Sequence, residues 1–383
     1  MKKLVILFTA MVVLLTISCK REPELYLYDA ADADFRLPII DLQLDVYWDY
    51  TLIYGIDYDW KAEWYYGWDD IDRQIFGELG YEIPSVFNIR RYYTNSQPYA
   101  PHDQVSSDKI NGTTFHGRYQ WGFWDILVWN DINTIDGVQS LNFDEQTSLD
   151  YVTAYTNQTM RSTRYSAPLF THSFWAPEPL FAAYDQAIEI NPNLDGFEYD
   201  AVRGVYVKKL NMELRPLTYI YLTQVILHHN NGRIAASEGT SNLSGMARSV
   251  TLNNGQAGND AITVYYETLL KKNCDMEGEN VDIIGGRLLT FGICGLRPNA
   301  IRRADEIKDA NRHYMDVTVQ FNNGMDSTMV FDVTDQVRKH YKGGVITVEL
   351  DLDTVPVPQR SGGSGFDAVV KDIEDGGTYE FEM

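Results

Sequence analysis

The feature that most constrains the fold is a succession of short segments in which apolar and polar residues alternate. The segment 37–50 shows the pattern clearly, since one face carries Ile40, Leu42, Leu44, Val46 and Trp48. A period of two residues is typical of a half-buried strand. Similar segments recur as far as residue 352, and the run 322–325 (NNGM) between two of them predicts a hairpin. We therefore predict a mainly β fold with tandem β-sandwich domains and a few short helices.

Two segments have the pattern of helices. Residues 69–79 predict a short helix with Asp69 or Asp70 as its N-cap. Residues 177–190 also predict a helix, because two prolines mark its start, an apolar stripe recurs at helical spacing and Asn191-Pro192 ends it. That stripe consists of Phe181, Tyr184 and Ile188.

The N-terminus has the pattern of an export signal. Lys2 and Lys3 precede an apolar run of about fourteen residues, which is shorter than the roughly twenty that a membrane-spanning helix needs. Cys19 directly follows the small residues of the expected cleavage site, as in the lipobox of bacterial lipoproteins, although Thr16 stands where leucine is usual. We predict that residues 1–18 are removed and that Cys19 carries acyl chains, including palmitate. The alternative is an ordinary signal peptide followed by an incidental cysteine.

The charge balance excludes one class of partner. The chain has 32 basic and 54 acidic residues, a net charge of −22 at pH 7. Such a surface repels nucleic acid, so we expect no nucleic-acid partner. It also repels anionic lipid head groups, so attachment to the outer membrane would depend on the lipid at Cys19.

The sequence suggests five parts. A signal peptide (1–18) and a polar, acidic tether (19–36) precede an N-terminal β-sandwich domain (37–204) and a C-terminal β-sandwich domain (205–358). A last strand pair (359–383) follows a joint rich in glycine and serine. The boundary near 204 rests on the turn-rich stretch before it.

Two further cysteines, Cys274 and Cys294, leave two readings open. In an exported protein they could form a disulfide that closes a loop of about twenty residues. They could equally be two buried thiols.

The search for catalytic and metal-binding patterns gives no candidate. The sequence lacks HExxH, GxSxG, a Walker loop and GxGxxG. His228 and His229 would point to opposite faces of a strand, and the alternating acids Glu349, Asp351 and Asp353 are typical of a solvated sheet face. A partial match to a calcium loop begins at Asn191 but has Val202 where a glutamate is needed. We therefore predict no enzyme activity, no catalytic residues, no metal and no cofactor.

An aromatic cluster at residues 46–68 leaves two interpretations open. Its rings could pack into a core, or they could form a surface for a partner or a glycan. The candidate surface residues are Tyr58, Trp60, Trp64 and Trp68.

Several weak motifs together carry a resemblance to a known family. They are YQWGFWDILVWND (119–131), KKLNMELRPLTYIYL (208–222), NLSGMARSV (242–250), VTVQFNNGMDSTMVFDVTDQV (317–337) and FDAVVKDIEDGGTYEFEM (366–383). With the lipobox and the acidic tether, the chain resembles the fimbrillin-like lipoproteins of Bacteroides-type gut and oral bacteria. The resemblance implies two transthyretin-like or Ig-like β-sandwich domains and a role in type V pili at the cell surface.

The resemblance also implies how the protein would assemble. In that family an arginine-specific protease removes the lipidated segment of stalk subunits, and the next subunit donates a strand to the vacated groove. On this chain the candidate cut lies between Arg36 and Leu37, although Arg36 could be an ordinary linker residue. Anchor subunits keep their lipid, and the lack of an evident long C-terminal donor favours an anchor, accessory or tip subunit whose partners are other fimbrial subunits. Residues 359–383 could be a donor strand or could pair in their own sheet.

Two further expectations concern glycans. The acceptor pattern Asp-Ser/Thr-apolar of these bacteria makes Ser327 and Thr354 candidate O-glycosylation sites. The alternative function is a cell-surface glycan-binding lipoprotein that uses the aromatic cluster.

Overall fold

The computed structural model describes residues 37–55, 57–94, 103–132, 140–144, 152–159, 173–297, 309–359, 370–371 and 380–381. Within these parts, strands dominate and helices are short. The helices are α1 (Tyr50–Tyr54), α2 (Trp60–Glu63), α3 (Asp70–Phe76) and α4 (Thr334–Lys339). The fold is mainly β with several packed sheets, which confirms the predicted class.

The largest sheet has the order β3-β2-β5-β9-β11-β1-β4, and β10 also pairs with β11. Its strands are β1 (Ile39–Val46), β2 (Val86–Thr94), β3 (Asp103–Asn111), β4 (Thr114–Arg118), β5 (Gly122–Asn130), β9 (Phe181–Ile190), β10 (Glu198–Asp200) and β11 (Val205–Pro216).

The remaining strands form four smaller sheets. One has the order β16-β17-β12-β20, with β12 (Tyr219–His228), β16 (Leu269–Met276), β17 (Glu279–Thr290) and β20 (Gly344–Asp351). Another has the order β19-β18-β13-β15-β8, with β8 (Ser173–Trp175), β13 (Ile234–Ala247), β15 (Ala261–Tyr266), β18 (Tyr314–Phe321) and β19 (Asp326–Asp332). A three-stranded sheet contains β14 (Ser249–Thr251), β7 (Thr153–Thr156) and β6 (Leu141–Asp144), and β21 (Val370–Lys371) pairs with β22 (Glu380–Phe381).

The first alternating segment and the NNGM turn form the structures that their patterns predict. In β1 the side chains of Ile40, Leu42 and Leu44 are at most 1% exposed. The strand lies between β11, to which it is parallel, and β4, to which it is antiparallel. The turn joins β18 and β19 as an antiparallel hairpin.

Helix α3 also forms where it is predicted, and Asp69 is its N-cap. The Asp69 carboxylate accepts the backbone N–H groups of Ile71 and Asp72, and the Asp72 side chain accepts the N–H of Asp69. This reciprocal capping box satisfies amide groups that have no partner inside the helix.

The helix predicted for residues 177–190 is wrong, because residues 181–190 form strand β9. Strand β9 pairs with β5 from Ala182 to Ile190 apart from a bulge at residues 186–187, so its backbone is held extended and cannot form a helical ladder. A short apolar stretch fits both periods, and here Ile188 and Ile190 are buried at a spacing of two. Pairing with a strand distant in sequence therefore decided the structure.

The sheets do not divide the chain at the predicted boundary near residue 204. Strand β11 follows that boundary but pairs with β1 in the first sheet. Conversely, β7 and β8 precede the boundary but pair with β14 and β15. One apolar core also runs from Ile40 to Val355 through strands of both halves. Local sequence patterns identify strands but not their partners, so they could not show this interleaving.

Candidate functional site

The candidate site is a fork in the largest sheet, between β9 and β11. The two antiparallel strands pair only at Phe181–Pro216 and Ala182–Arg215. Beyond these pairs, β9 continues beside β5 and β11 continues beside β1. In the described part of the chain, no strand lies between residues 183–190 of β9 and residues 208–214 of β11. Each strand therefore presents one edge of backbone N–H and C=O groups toward the fork.

A β-bulge lies on β9 where the fork opens. Two residues of β9 stand opposite Asp125 of β5, and one of them, Ala187, has a φ of 56°. The buried Asp125 carboxylate holds the bulge, since it accepts the Ala187 N–H at 2.7 Å and the Tyr184 hydroxyl at 3.1 Å. Because a bulge bends its strand and increases the local twist, this bulge directs β9 away from β11.

The fork encloses a polar cavity of about 400 Å³. Its β9 wall contains Asp185 and Glu189, and its β11 wall contains Lys208 and Leu210. At its end, the Asn191 side chain donates to Asp195 at 3.0 Å. The segment that partly matches a calcium loop thus forms a turn, whose amide and carboxylate bind each other.

The aromatic cluster packs mainly inward. The Trp60 side chain is 8% exposed and lies against Tyr50, with ring centroids 4.2 Å apart. Tyr58, Trp64 and Trp68 are half-buried. Tyr58 stacks on the ring of His340 at 4.3 Å and accepts the Val345 N–H at 2.9 Å. Of the two interpretations, this arrangement favours core packing.

Buried polar side chains fasten the aromatic segment to the sheet of β12. The Gln224 carbonyl accepts the N–H groups of Tyr65 and Tyr66, and its amide donates to the Glu63 carbonyl at 2.7 Å. Arg287 of β17 donates to the carbonyls of Leu79 and Gly80 at 2.9 and 2.8 Å. Sequence reasoning missed these residues, because nothing in the local pattern distinguishes them from other polar strand residues.

Cys274 and Cys294 are free thiols, which corrects the disulfide alternative. They pack in different places, because Cys274 contacts a small cluster around Tyr66 while Cys294 contacts the main core. Burial raises the pKa of Cys294 to about 12 and also raises the pKa of Cys274.

The two adjacent histidines bind different carboxylates at one end of β20. His228 lies 3.1 Å from Glu349, and His229 lies 2.9 Å from Asp351. Among the described residues, one group of side chains could hold a metal ion. It consists of His229, Asp351 and Asp353, whose ligand atoms lie within 4.8 Å of one another. Arg233 already pairs with Asp353 at 2.9 Å, so a cation would compete with a guanidinium.

The remaining predicted site residues are scattered. Leu37 precedes β1 and is half-buried, whereas Cys19 and Arg36 lie outside the described residues. Ser327 is 6% exposed within β19, so the folded chain does not present it for glycosylation, whereas Thr354 is exposed. Within the described residues, no helix is both long and apolar enough to span a bilayer.

Comparison with known proteins gives structural neighbours only. No family model and no curated protein match the sequence. A candidate adhesin of Bacteroides ovatus is 14% identical, with a TM-score of 0.47 over 85% of this chain and 95% of that one. A candidate adhesin of Bacteroides thetaiotaomicron is 9% identical, with a TM-score of 0.44 over 83% and 93%. The fimbrial anchor protein Mfa2 of Porphyromonas gingivalis is 11% identical, with a TM-score of 0.40 over 82% and 90%.

These neighbours are candidate adhesins and fimbrial proteins of Bacteroides and Porphyromonas.

Proposed function

We propose that the protein is a non-enzymatic fimbrial subunit of the anchor, accessory or tip type, which acts in adhesion and assembly at the cell surface. The observation that carries the proposal is the fork between β9 and β11. A subunit built to accept a strand needs an open place inside a sheet, and the fork has two unpaired edges that face each other.

A strand inserted into the fork would complete the sheet on both sides. Because β9 and β11 are antiparallel, the inserted strand would be parallel to one and antiparallel to the other. Each backbone hydrogen bond formed contributes about 0.5–1.5 kcal/mol net, and the donor would also bury alternate side chains. Backbone pairing supplies affinity, while the polar walls of the fork select the donor sequence.

In this proposal, the lipid at Cys19 determines whether the subunit stays attached to the outer membrane. A chain that keeps its acyl groups is held at the outer membrane, whereas a cut after Arg36 would release it. Other fimbrial subunits are the proposed partners. The alternative of a glycan platform made by the aromatic cluster is less well supported, since Trp60 is buried and its neighbours are half-buried.

Hydrogen exchange tests the fork directly. The mature chain is compared as a monomer and within fimbriae isolated from the producing cells. We expect the fork-facing amides of 183–190 and 208–214, which are not bonded to β5, β1 or Asp125 in the monomer, to exchange at least tenfold more slowly in fimbriae, whereas those of the β16 edge stay unchanged. Equal exchange at the fork in the two states would refute strand addition there.

A variant pair sharpens the test. Leu210→Lys places a second ammonium group in the fork, beside Lys208, and should reduce incorporation into fimbriae. Asn211→Lys adds the same charge at an exposed position of β11 that does not line the cavity, and it should assemble normally. Mass spectrometry of the mature N-terminus, with Arg36→Lys as the uncleavable control, distinguishes an anchor from a released subunit.

A further inference from the structure

A second cavity, of about 310 Å³, lies at the closed end of the fork. It forms where β9 and β11 are still paired, and the loop 252–255 and the turn after α4 close it. Its apolar wall includes Leu52, Leu217 and Leu252, and its charged and amide groups include Glu213, Arg215, Asn253 and Lys342. The volume is at the lower end of ligand pockets, which suits a small molecule rather than a folded partner.

Lys342 is a half-buried cation with no ion-pair partner among the described residues, since the carboxylate that lines the cavity, that of Glu213, pairs with Arg215. The Lys342 ammonium group lies 5.9 Å from the centre of the Tyr341 ring, which is a cation–π contact. Burial lowers the pKa of Lys342, so the site carries a desolvation cost that an anion would relieve. An unpaired cation is notable in a chain with a net charge of −22.

Asn253 provides a second group in this cavity that lacks a partner, a hydrogen-bond acceptor. Its side-chain oxygen is buried and has no hydrogen-bond partner, although the residue lines the same cavity. A buried acceptor left without a donor is costly, and such groups usually have a partner. A ligand hydroxyl would provide the missing donor.

We propose that this cavity binds an acidic sugar unit, whose carboxylate pairs with Lys342 and whose hydroxyl donates to Asn253. A single free cation suits a carboxylate better than a dianionic phosphate, since Arg215 is already engaged by Glu213 at 3.2 Å. The leucine side chains face the C–H groups of the sugar ring. This binding does not depend on strand addition, because the cavity exists in the isolated chain.

Saturation-transfer difference NMR on the mature chain tests the proposal, with D-glucuronate, D-galacturonate, D-glucose and acetate as probes. We expect signals from one or both uronates and at least tenfold weaker signals from glucose and acetate. Lys342→Gln and Asn253→Ala should each reduce the affinity for the bound uronate about tenfold or more.

Lys272→Gln is the matched control, since it removes the same charge at an exposed position of β16 away from the cavity. It should leave uronate binding unchanged, and thermal melts verify that all variants fold. The proposal is overturned by an absence of uronate signals, by equal signals from glucose or acetate, or by wild-type affinity in folded Lys342→Gln. None of these outcomes bears on hydrogen exchange at the fork.

Discussion

The ammonium group of Lys271 binds the carboxylate of Asp72, although the two residues are 199 positions apart in the chain. The Asp72 side chain is completely buried, and Asp69 also pairs with Lys271 at 2.9 Å. Helix α3 thus turns its acidic side toward β16 and exposes Ile71 and Ile75. Together with the hydrogen bonds of Gln224 and Arg287, this ion pair holds residues 63–80 against the sheet that contains β12, β16 and β17.

Removing the cation of this pair should be strongly destabilising. Lys271→Met leaves the buried Asp72 carboxylate without its counter-ion, and we expect a loss of about 3–5 kcal/mol in the free energy of unfolding. The double variant Asp72→Asn/Lys271→Met should recover much of it, because no buried charge remains. Urea denaturation followed by tryptophan fluorescence measures both, with the exposed Lys272→Met as control. A single variant within 1 kcal/mol of wild type would contradict the expected loss.

The elements that the sequence predicts correctly are those determined by residues close together in the chain. The alternation in β1, the NNGM turn and the Asp69 cap each depend on neighbours within a few residues. Strand β9 could not be predicted in this way, because its apolar spacing fits a helix as well as a strand. Its partner strand β5 lies about sixty residues earlier in the chain.

The site could not be predicted for a related physical reason. The fork exists because β11 pairs with β1 while β9 pairs with β5, and neither choice is written in the periodicity of one strand. The bulge at Ala187 carries no glycine or proline signal, and the Asp125 side chain that holds it belongs to another strand. Lys342 and Asn253 meet at one cavity only through the packing of distant loops.

Replacing Ala187 by glycine should stabilise the protein. Its φ of 56° is a conformation that costs a residue with a Cβ about 1–2 kcal/mol and glycine almost nothing. The greater freedom of glycine in the unfolded chain offsets part of this, so we expect a net gain of about 0.5–1 kcal/mol. Ala183→Gly, at a buried position of β9 without positive φ, should instead be destabilising. Urea denaturation measures the two changes, and a loss of stability in Ala187→Gly would show that the bulge is unstrained.

The two half-buried thiols, those of Cys274 and Cys294, should react slowly in the native protein. Since the pKa of Cys294 is about 12, very little thiolate exists at pH 8, and Cys274 is also shifted upward. We expect iodoacetamide to label both far more slowly than free cysteine, with Cys294 the slower. The urea-unfolded chain, which should label at both positions without prior reduction, is the control. Labelling that appears only after a reductant is added would reveal a disulfide instead.

Asp316 should make the protein less stable as the pH rises from about 4 to 7. Desolvation raises the pKa of its buried carboxyl to about 7, well above the usual range of aspartate, and Asn242 donates to it at 2.8 Å. Over this range the folded chain keeps a proton that the unfolded chain releases, so this group contributes a fall in stability of up to about 1.4 kcal/mol per pH unit. Asp316→Asn keeps the shape and should remove that slope, which makes the variant relatively more stable at pH 8 than at pH 4. Parallel wild-type and variant profiles of unfolding free energy against pH would show that Asp316 ionises normally in the folded protein.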